Sequence, residues 1–219
     1  MPTTLDECST DTVSRTDTVR ERKKRETRSS LRRAAVALVG ERGLHSVTAE
    51  EIAAAAGVSP RTFFNYFPTK EDAVVGYDPA KTAEMVERLR SRPDEEPAFE
   101  ALRVTVLETL MPSDVGPAEL LDRLRVVGAD PHLVAHQVSR FGDLERALTE
   151  SLAGRKVADR LPGSHAALVV ACVLAAGRVA LMSWCRTGGR DRLDRVLADH
   201  LGAVGAGLAG VAEPAGSER

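Results

Sequence analysis

Start and stop signals for two short helices are concentrated in residues 48–72, which read TAEEIAAAAGVSPRTFFNYFPTKED. Thr48 and Glu51 have the spacing of a capping box, in which each side chain satisfies a backbone N–H at the helix start. Gly57 supplies a left-handed stop, and Ser59-Pro60 supplies an N-cap followed by a first-turn proline. Two capped helices around a tight glycine turn are typical of a helix-turn-helix, whose second helix enters the major groove of DNA.

The second of these helices has two chemically different faces. Pro68 limits it to about two turns. Phe63 and Phe67 lie four residues apart and are predicted to pack inward together. On the outer face, Arg61 offers the paired donors that match O6 and N7 of guanine. The residues of this helix and its cap that we predict to contact DNA are Ser59, Pro60, Arg61, Thr62, Asn65 and Tyr66.

A lysine stands at an unfavourable position in the next helix. With Thr69 as N-cap, Lys70 falls in the first turn, where the helix dipole disfavours a cation. Glu71 and Asp72 already satisfy that dipole. We therefore predict that Lys70 has a further anion nearby, such as a phosphate.

These residues resemble a known family. The stretch GVSPRTFFNYFPTKED resembles the recognition helix of TetR-family transcription regulators, and RRAAVALVGERGLHSVT resembles what precedes it there. The resemblance covers about residues 30–75 and implies that Thr48, Tyr66 and Lys70 bind phosphates while Arg61 and Thr62 reach bases. Two positions depart from the commonest family pattern: a frequent Tyr is Phe64, and a common His is Asn65.

Composition favours helices throughout the chain. Hydrophobic residues make up 43% of the 219 residues but aromatic residues only 4%, so the interior is built from Ala, Val and Leu. Alternating β-branched runs are nearly absent. We predict an all-α protein with a three-helix helix-turn-helix domain at 20–77 and a helical ligand-binding and dimerisation domain at 78–209. The segments 1–19, expected to be disordered, and 210–219 are predicted tails.

Charge is unevenly distributed along the chain. The formal net charge is only −2, yet residues 15–33 contain nine Lys or Arg against three Asp or Glu. A basic segment beside a DNA-reading motif indicates attraction to phosphate. A solvated charged tail is the alternative.

Proline and glycine divide the rest of the chain into helices. The helix starting at Lys70 is predicted to bend at Asp78-Pro79 and to continue to Arg90. The nearly all-apolar helix at 164–186 must be covered on all sides. We predict that one face lies in its own core and the other against a second copy, with close approach at Ala171, Ala175 and Gly177. A dimer built from the last two helices is also what the TetR resemblance implies; full burial within a monomer is the alternative.

The region from Glu96 onward resembles the C-terminal domain of regulators related to mycofactocin regulators, described as binding acyl-CoA-like ligands. This resemblance rests on helix order, on GADPHLVAHQVSRFGDLERALTESLA and on ALMSWCRTGGRDRLDRVL. An apolar pocket between helices is the usual form of such a site. The candidate ligand residues are Phe99, Leu102, Arg103, Val106, Met111, His136, Phe141, Arg178 and Trp184. Core packing of the apolar members and ion pairing of the arginines are the alternatives.

Other classes find little support in the sequence. No G-x-S-x-G, phosphate-loop or H-E-x-x-H signal indicates an enzyme. His132 and His136 share a helix face without a third ligand, so no metal and no cofactor are predicted. The first 30 residues lack a secretory signal, and Arg178 interrupts the longest apolar run, which favours a cytoplasmic protein without membrane contact. Two alternatives remain open, a ligand-independent DNA-binding protein and a redox sensor using Cys172 or Cys185.

Overall fold

The computed structural model describes residues 9–110, 115–155 and 165–209, with side chains for 19–109, 115–155 and 165–207. Every regular element within these ranges is a helix, which confirms the all-α prediction. The chain divides into two compact units between Gly76 and Tyr77. Met111 and the predicted tail at 210–219 lie outside the described residues.

The first unit consists of one long helix followed by a 3₁₀ helix and three short helices. Their bounds are α1 Ser9–Arg42, the 3₁₀ helix Leu44–Ser46, α2 Ala49–Ala55, α3 Pro60–Tyr66 and α4 Lys70–Val75. Helix α1 contacts α2 and α4, and α2 contacts α3. The buried hydrophobic side chains of this unit are Leu31, Ala35, Val36, Val39, Leu44, Val47, Ile52, Ala53, Phe63, Phe67, Ala73 and Val74.

Helix α1 starts inside the segment for which the sequence predicts disorder. It begins at Ser9, so residues 9–19 are helical where disorder was predicted. Residues 1–8 lie outside the described part. Residues 9–39 contain neither proline nor glycine. Extending a helix that is already nucleated costs little per residue, so the packed segment from Leu31 onward extends into polar sequence. The exposed Arg22–Glu26 ion pair lies along this extension.

The predicted bent helix from Lys70 to Arg90 is two separate helices, α4 and α5 Pro79–Arg90. Gly76 adopts a left-handed conformation with φ of 78° and donates its N–H to the Asp72 carbonyl, which ends α4. Asp78 then caps α5 by accepting the Ala80 N–H at 3.0 Å. The predicted bend is wrong because the glycine stop acts before the proline.

The second unit contains the remaining helices. After α5 come α6 Ala98–Leu110, α7 Pro117–Ala129, α8 Pro131–Ala153, α9 His165–Arg186 and α10 Leu193–Ala209. The main hydrophobic cluster is formed by α5, α6, α8, α9 and α10, with Leu89, Leu102, Leu152 and Val173 among its fully buried members. A smaller cluster packs α7 against Trp184 of α9. The described part of this unit thus contains at least two apolar clusters.

Helix α9 has one buried face and one exposed apolar face. The buried face enters the main cluster through Val169, Val170 and Val173. Gly177 is buried whereas Ala175 is exposed, so the predicted partner-facing position of Gly177 is wrong. Two residues turn a helix by about 200°, which places them on opposite sides. Length and mean hydropathy alone would let α9 span a bilayer, contrary to the sequence argument, but its buried face packs as in a core helix.

Candidate nucleic-acid interface

The start of α2 is a complete capping box. The Oγ1 atom of Thr48 accepts the Glu51 N–H at 3.2 Å, and the Glu51 carboxylate accepts the Thr48 N–H at 2.8 Å. The Thr48 hydroxyl also bonds the Glu51 carboxylate and helps to lower the pKa of Glu51. Thr48 is exposed, so its side chain is accessible to a phosphate oxygen.

Arg42, in the last turn of α1, fastens the 3₁₀ helix to α2. Its Nη2 atom donates to the Ser46 carbonyl at 2.6 Å and to the Glu51 carboxylate at 2.7 Å. Two further hydrogen bonds hold the pKa of Glu51 below its ordinary value. The larger effect comes from Arg42 and the smaller from the Thr48 N–H. The capping carboxylate therefore stays ionised near neutral pH. The role of Arg42 is not evident from sequence, because no local spacing rule links it to a partner nine residues away.

Helix α3 has one buried and one exposed face. Phe63 and Phe67 are buried, as predicted, with ring centroids 6.0 Å apart. The Arg28 guanidinium lies 4.7 Å from the centre of the Phe67 ring. The opposite side of the helix and its cap exposes Ser59, Pro60, Arg61, Phe64 and Asn65, with Thr62 and Tyr66 half-buried. All the candidate residues of α3 are thus at least partly accessible.

Two hydroxyl groups at the start of α3 are bonded to each other. Ser59 accepts the Thr62 N–H at 3.2 Å, and the two side-chain oxygens lie 2.9 Å apart. Whichever hydroxyl donates, the other keeps its proton for an external acceptor. The cap of α3 therefore serves the fold and still offers DNA one donor.

Lys70 has two partners within the protein that the sequence did not reveal. Its Nζ atom donates to the backbone carbonyls of Leu44 at 2.7 Å and Val47 at 2.9 Å. These two carbonyl dipoles partly offset the positive charge of Lys70. Thr69 caps α4 as predicted, by accepting the Asp72 N–H at 3.1 Å. Because an ammonium group has three donors, one N–H of Lys70 is left for a phosphate, and that role stays a prediction.

The predicted ligand residues fall into different parts of the second unit. Leu102 and Val106 are fully buried in the main cluster, and Phe99 packs against it. Trp184 belongs to the smaller cluster with Leu120 and Leu121 of α7. Its Nε1 atom donates to the Asp191 carbonyl at 2.8 Å. The structure therefore unites the α6 residues but separates them from Trp184.

The polar ligand candidates are dispersed as well. The Nε atom of Arg103 donates to Glu100 at 2.8 Å, and this pairing raises the pKa of Arg103. Arg178 is exposed on α9, and His136 and Phe141 are half-buried on α8. Arg103 is thus already neutralised by a carboxylate one helical turn away.

An open groove of about 520 Å³ lies between α6 and the start of α10. Among the described residues that line this groove, none is a predicted ligand residue. Arg192 and Asp194 in its wall form a salt bridge of 2.5 Å. The groove is lined by Leu107, Arg192, Asp194, Arg195 and Ala198.

The structure describes two of the cysteines and allows a search for metal-ligand clusters. Cys172 and Cys185 are free thiols, each partly buried. Burial raises the pKa of Cys185, with Arg125 opposing the shift. A raised pKa lowers the thiolate fraction and with it the reactivity toward oxidants. Within residues 9–110, 115–155 and 165–209, no group of three or more His, Cys, Asp or Glu side chains is arranged to hold a metal ion.

Two family models match the chain. Residues 31–75 match the bacterial regulatory proteins of the tetR family, and residues 96–209 match the MftR C-terminal domain. The HTH-type transcriptional regulator TcmR of Streptomyces glaucescens is 31% identical over 191 residues, covering 82% of this chain and 84% of TcmR.

Solved structures show the same fold. FadR of Thermus thermophilus, a TetR-family repressor in complex with lauroyl-CoA, superposes with a TM-score of 0.50 at 25% identity, over 88% of this chain and 98% of FadR. SmeT, the repressor of a Stenotrophomonas maltophilia multidrug efflux pump, gives a TM-score of 0.53 at 18% identity, over 89% and 98% of the two chains. The chain therefore belongs to the TetR family of transcriptional regulators, a family of DNA-binding proteins and not of enzymes.

Proposed function

We propose that this regulator is a cytoplasmic repressor that binds a palindromic operator as a homodimer and is released by an apolar or amphiphilic small molecule. The observation that carries the proposal is α3, whose buried Phe63 and Phe67 anchor a helix with Arg61 and Asn65 exposed. Burying one face against α2 leaves the other free to enter a major groove.

The proposed DNA contacts are of two kinds, those that recognise bases and those that position the helix on the phosphate backbone. Arg61 donates to a guanine, and Thr62 lies beside it at the start of α3. Thr48, Tyr66 and the remaining N–H of Lys70 contact phosphates and fix the orientation of the helix. Ser59, Pro60 and Asn65 complete the contact surface.

The basic part of α1 adds a long-range electrostatic contribution. Its segment from Arg20 to Arg25 is exposed and carries five positive and one negative side chains. Such charge raises the affinity for any duplex and makes it salt-dependent, without adding sequence information.

A homodimer is supported by the exposed apolar side of α9. Leu168 is 50% exposed, Val179 44% and Met182 57%, with Ala175 on the same side. Leaving such a stripe in water is unfavourable, so a second copy of the same face is the natural cover. Exposed small residues of α10, Gly202, Ala203 and Ala206, allow a close approach of backbones beside it.

The ligand is proposed from the second unit and from one relative. The FadR structure at 25% identity holds lauroyl-CoA. In this chain, the buried apolar cluster of α6, α8 and α9 supplies side chains of matching chemistry for an acyl chain. We therefore take an acyl-CoA-like amphiphile as the first candidate, with Phe99, Leu102 and Val106 against its apolar part. Arg103, Met111, His136, Phe141, Arg178 and Trp184 complete the candidate set.

Release of DNA requires that the ligand prefers one conformation of the protein. A ligand that binds two states equally shifts nothing, however tightly it binds. The units are joined through the short segment between α4 and α5, so a ligand that favours one arrangement of α5 changes the spacing of the two recognition helices. A spacing other than about one duplex turn, roughly 34 Å, is incompatible with both half-sites.

Selection from a random duplex pool by the purified full chain tests this proposal. The expected product is a palindrome with two half-sites about one helical turn apart, from which lauroyl-CoA displaces the protein while coenzyme A alone does not. Recovery of no preferred sequence would contradict operator recognition. A palindrome that is insensitive to a broad panel of acyl-CoA ligands would support a ligand-independent DNA-binding protein.

A further inference from the structure

The recognition helix exposes one large apolar side chain. Phe64 is 53% exposed, although its neighbours Phe63 and Phe67 are almost fully buried. Leaving an aromatic ring in water is unfavourable. The exposed ring at the centre of the proposed DNA-reading helix is therefore available for an apolar contact.

The Phe64 ring packs against the ring of its neighbour Phe63. Its centroid lies 5.3 Å from that of Phe63, with the ring planes at 87°, which is an edge-to-face pair. Phe63 is fully buried and gives the pair a rigid support. The exposed ring is thus supported on one side by the buried Phe63 ring.

Phe64 shares its side of α3 with the residues proposed to read bases. It lies three residues after Arg61 and four after Pro60, so all three occupy one helical face. Arg61 offers hydrogen-bond donors, whereas Phe64 offers neither a donor nor an acceptor. A phosphate would gain no hydrogen bond from Phe64.

The major groove contains one apolar group on its base edges, the C5-methyl group of thymine. We propose that Phe64 is a specificity-determining residue that covers a thymine methyl group in each half-site, next to the base pair that Arg61 reads. This inference rests on the proposed DNA-binding function and assigns thymine to a position that hydrogen bonding alone leaves undefined.

The test removes only the methyl group. Each thymine of the selected operator is replaced in turn, symmetrically in both half-sites, by deoxyuridine, which pairs identically. At one thymine position we expect the dissociation constant of the wild-type protein to rise about fourfold per half-site, the value for one buried methylene. The Phe64→Ala variant should then bind the thymine and deoxyuridine operators with equal dissociation constants. Val138→Ala, which truncates an exposed apolar side chain of α8 outside the DNA contact surface, is the matched control and should keep the discrimination.

The outcomes separate this inference from the proposed function. Equal binding of thymine and deoxyuridine operators at every position by the wild-type protein would overturn the Phe64 assignment while leaving operator recognition intact. Equal weakening of operator and scrambled duplex by Phe64→Ala would overturn it too, since the ring would then pack on the sugar–phosphate backbone. Failure to select any operator would overturn both. Because the deoxyuridine series uses the wild-type protein, misfolding of a variant does not affect it.

Discussion

The ammonium group of Lys70 donates a hydrogen bond of 2.7 Å to the carbonyl oxygen of Leu44, which lies twenty-six residues earlier in the chain. A second bond of 2.9 Å to the Val47 carbonyl joins α4 to the residue before the α2 cap. The position of the Thr48 hydroxyl therefore depends on Lys70. We therefore expect Lys70 to affect DNA binding through the fold as well as through its own charge.

The first prediction concerns the two roles of Lys70. Lys70→Met leaves two carbonyls without their charged donor, so we expect a loss of about 1–3 kcal/mol in the free energy of unfolding. If the third N–H also holds a phosphate, the slope of log K against log salt becomes flatter by about one unit per half-site. Thermal unfolding and salt-dependent binding assays measure the two effects separately. Lower stability with an unchanged slope would show that Lys70 acts only by fastening α4, and Lys70→Arg, which keeps the charge, serves as control.

The second prediction concerns base reading by Arg61. Arg61 is exposed near the start of α3, so Arg61→Ala should not affect folding. We expect the variant to lose about 1–3 kcal/mol of binding free energy for the operator and far less for a scrambled duplex. Fluorescence anisotropy with both duplexes at one salt concentration decides the matter. Equal losses on the two duplexes would make Arg61 a phosphate contact.

The parts of the fold that sequence predicts correctly depend on residues close together in the chain. The Thr48–Glu51 box, the Ser59 cap and the Thr69 cap each span three residues, so their spacing alone specifies the hydrogen bonds. Lys70 shows the opposite case. Its two carbonyl partners are set by how α4 packs in the first unit, so the sequence identified a cation in need of acceptors but not that Leu44 and Val47 supply two of them.

The ligand region shows a second limit of sequence reasoning. Apolar periodicity identifies Leu102 and Trp184 as buried, but it does not tell which cluster each joins. The side of α9 on which Gly177 lies was predicted wrongly for a related reason. In a helix that is apolar all round, periodicity no longer distinguishes the core side from the exposed side.

The third prediction uses the Arg92–Glu96 ion pair. The Nε and Nη2 atoms of Arg92 each donate to a carboxylate oxygen of Glu96 at 2.6 Å, and less than a quarter of either side chain is exposed. The hydrogen bond from Arg92 holds the pKa of Glu96 below its ordinary value. A depressed folded-state pKa contributes stability above the unfolded pKa, and this stability is lost as pH falls through the folded value. Glu96→Gln should therefore cost about 1 kcal/mol at pH 7, and the difference from wild type should shrink below about pH 4.

Urea unfolding at several pH values measures this effect. Asp122→Asn is the matched control, because Asp122 forms a largely exposed pair with Arg125 on α7 and should contribute little. A cost for Glu96→Gln that stays constant into acid would mean that packing, and not charge, explains it.

The fourth prediction tests the dimer face of α9. Ala171 and Ala175 lie one turn apart, and Val179 follows Ala175 by one turn. A glutamate at any of these positions would bury a charge between two copies, so Ala171→Glu, Ala175→Glu and Val179→Glu should each give monomers that no longer bind the palindrome. Val138→Glu is the control, since Val138 on α8 is an apolar residue exposed by 64% outside the proposed interface. Sedimentation that finds intact dimers for all three α9 variants would remove the basis for this interface.

The fifth prediction concerns the ligand and uses Trp184, the single tryptophan of the chain, as a probe. Its ring is buried against Leu120 and Leu121 and is tied to the Asp191 carbonyl. It therefore reports on how α7 packs against α9 and not directly on the main cluster. We expect lauroyl-CoA to change Trp184 fluorescence saturably and to release the operator over the same concentration range, because one conformational shift produces both signals. Coenzyme A alone, which lacks the acyl chain, should change neither signal. A fluorescence change without DNA release would mean that the ligand binds without regulating, and unchanged signals across a panel of acyl-CoA chain lengths would rule out this ligand class.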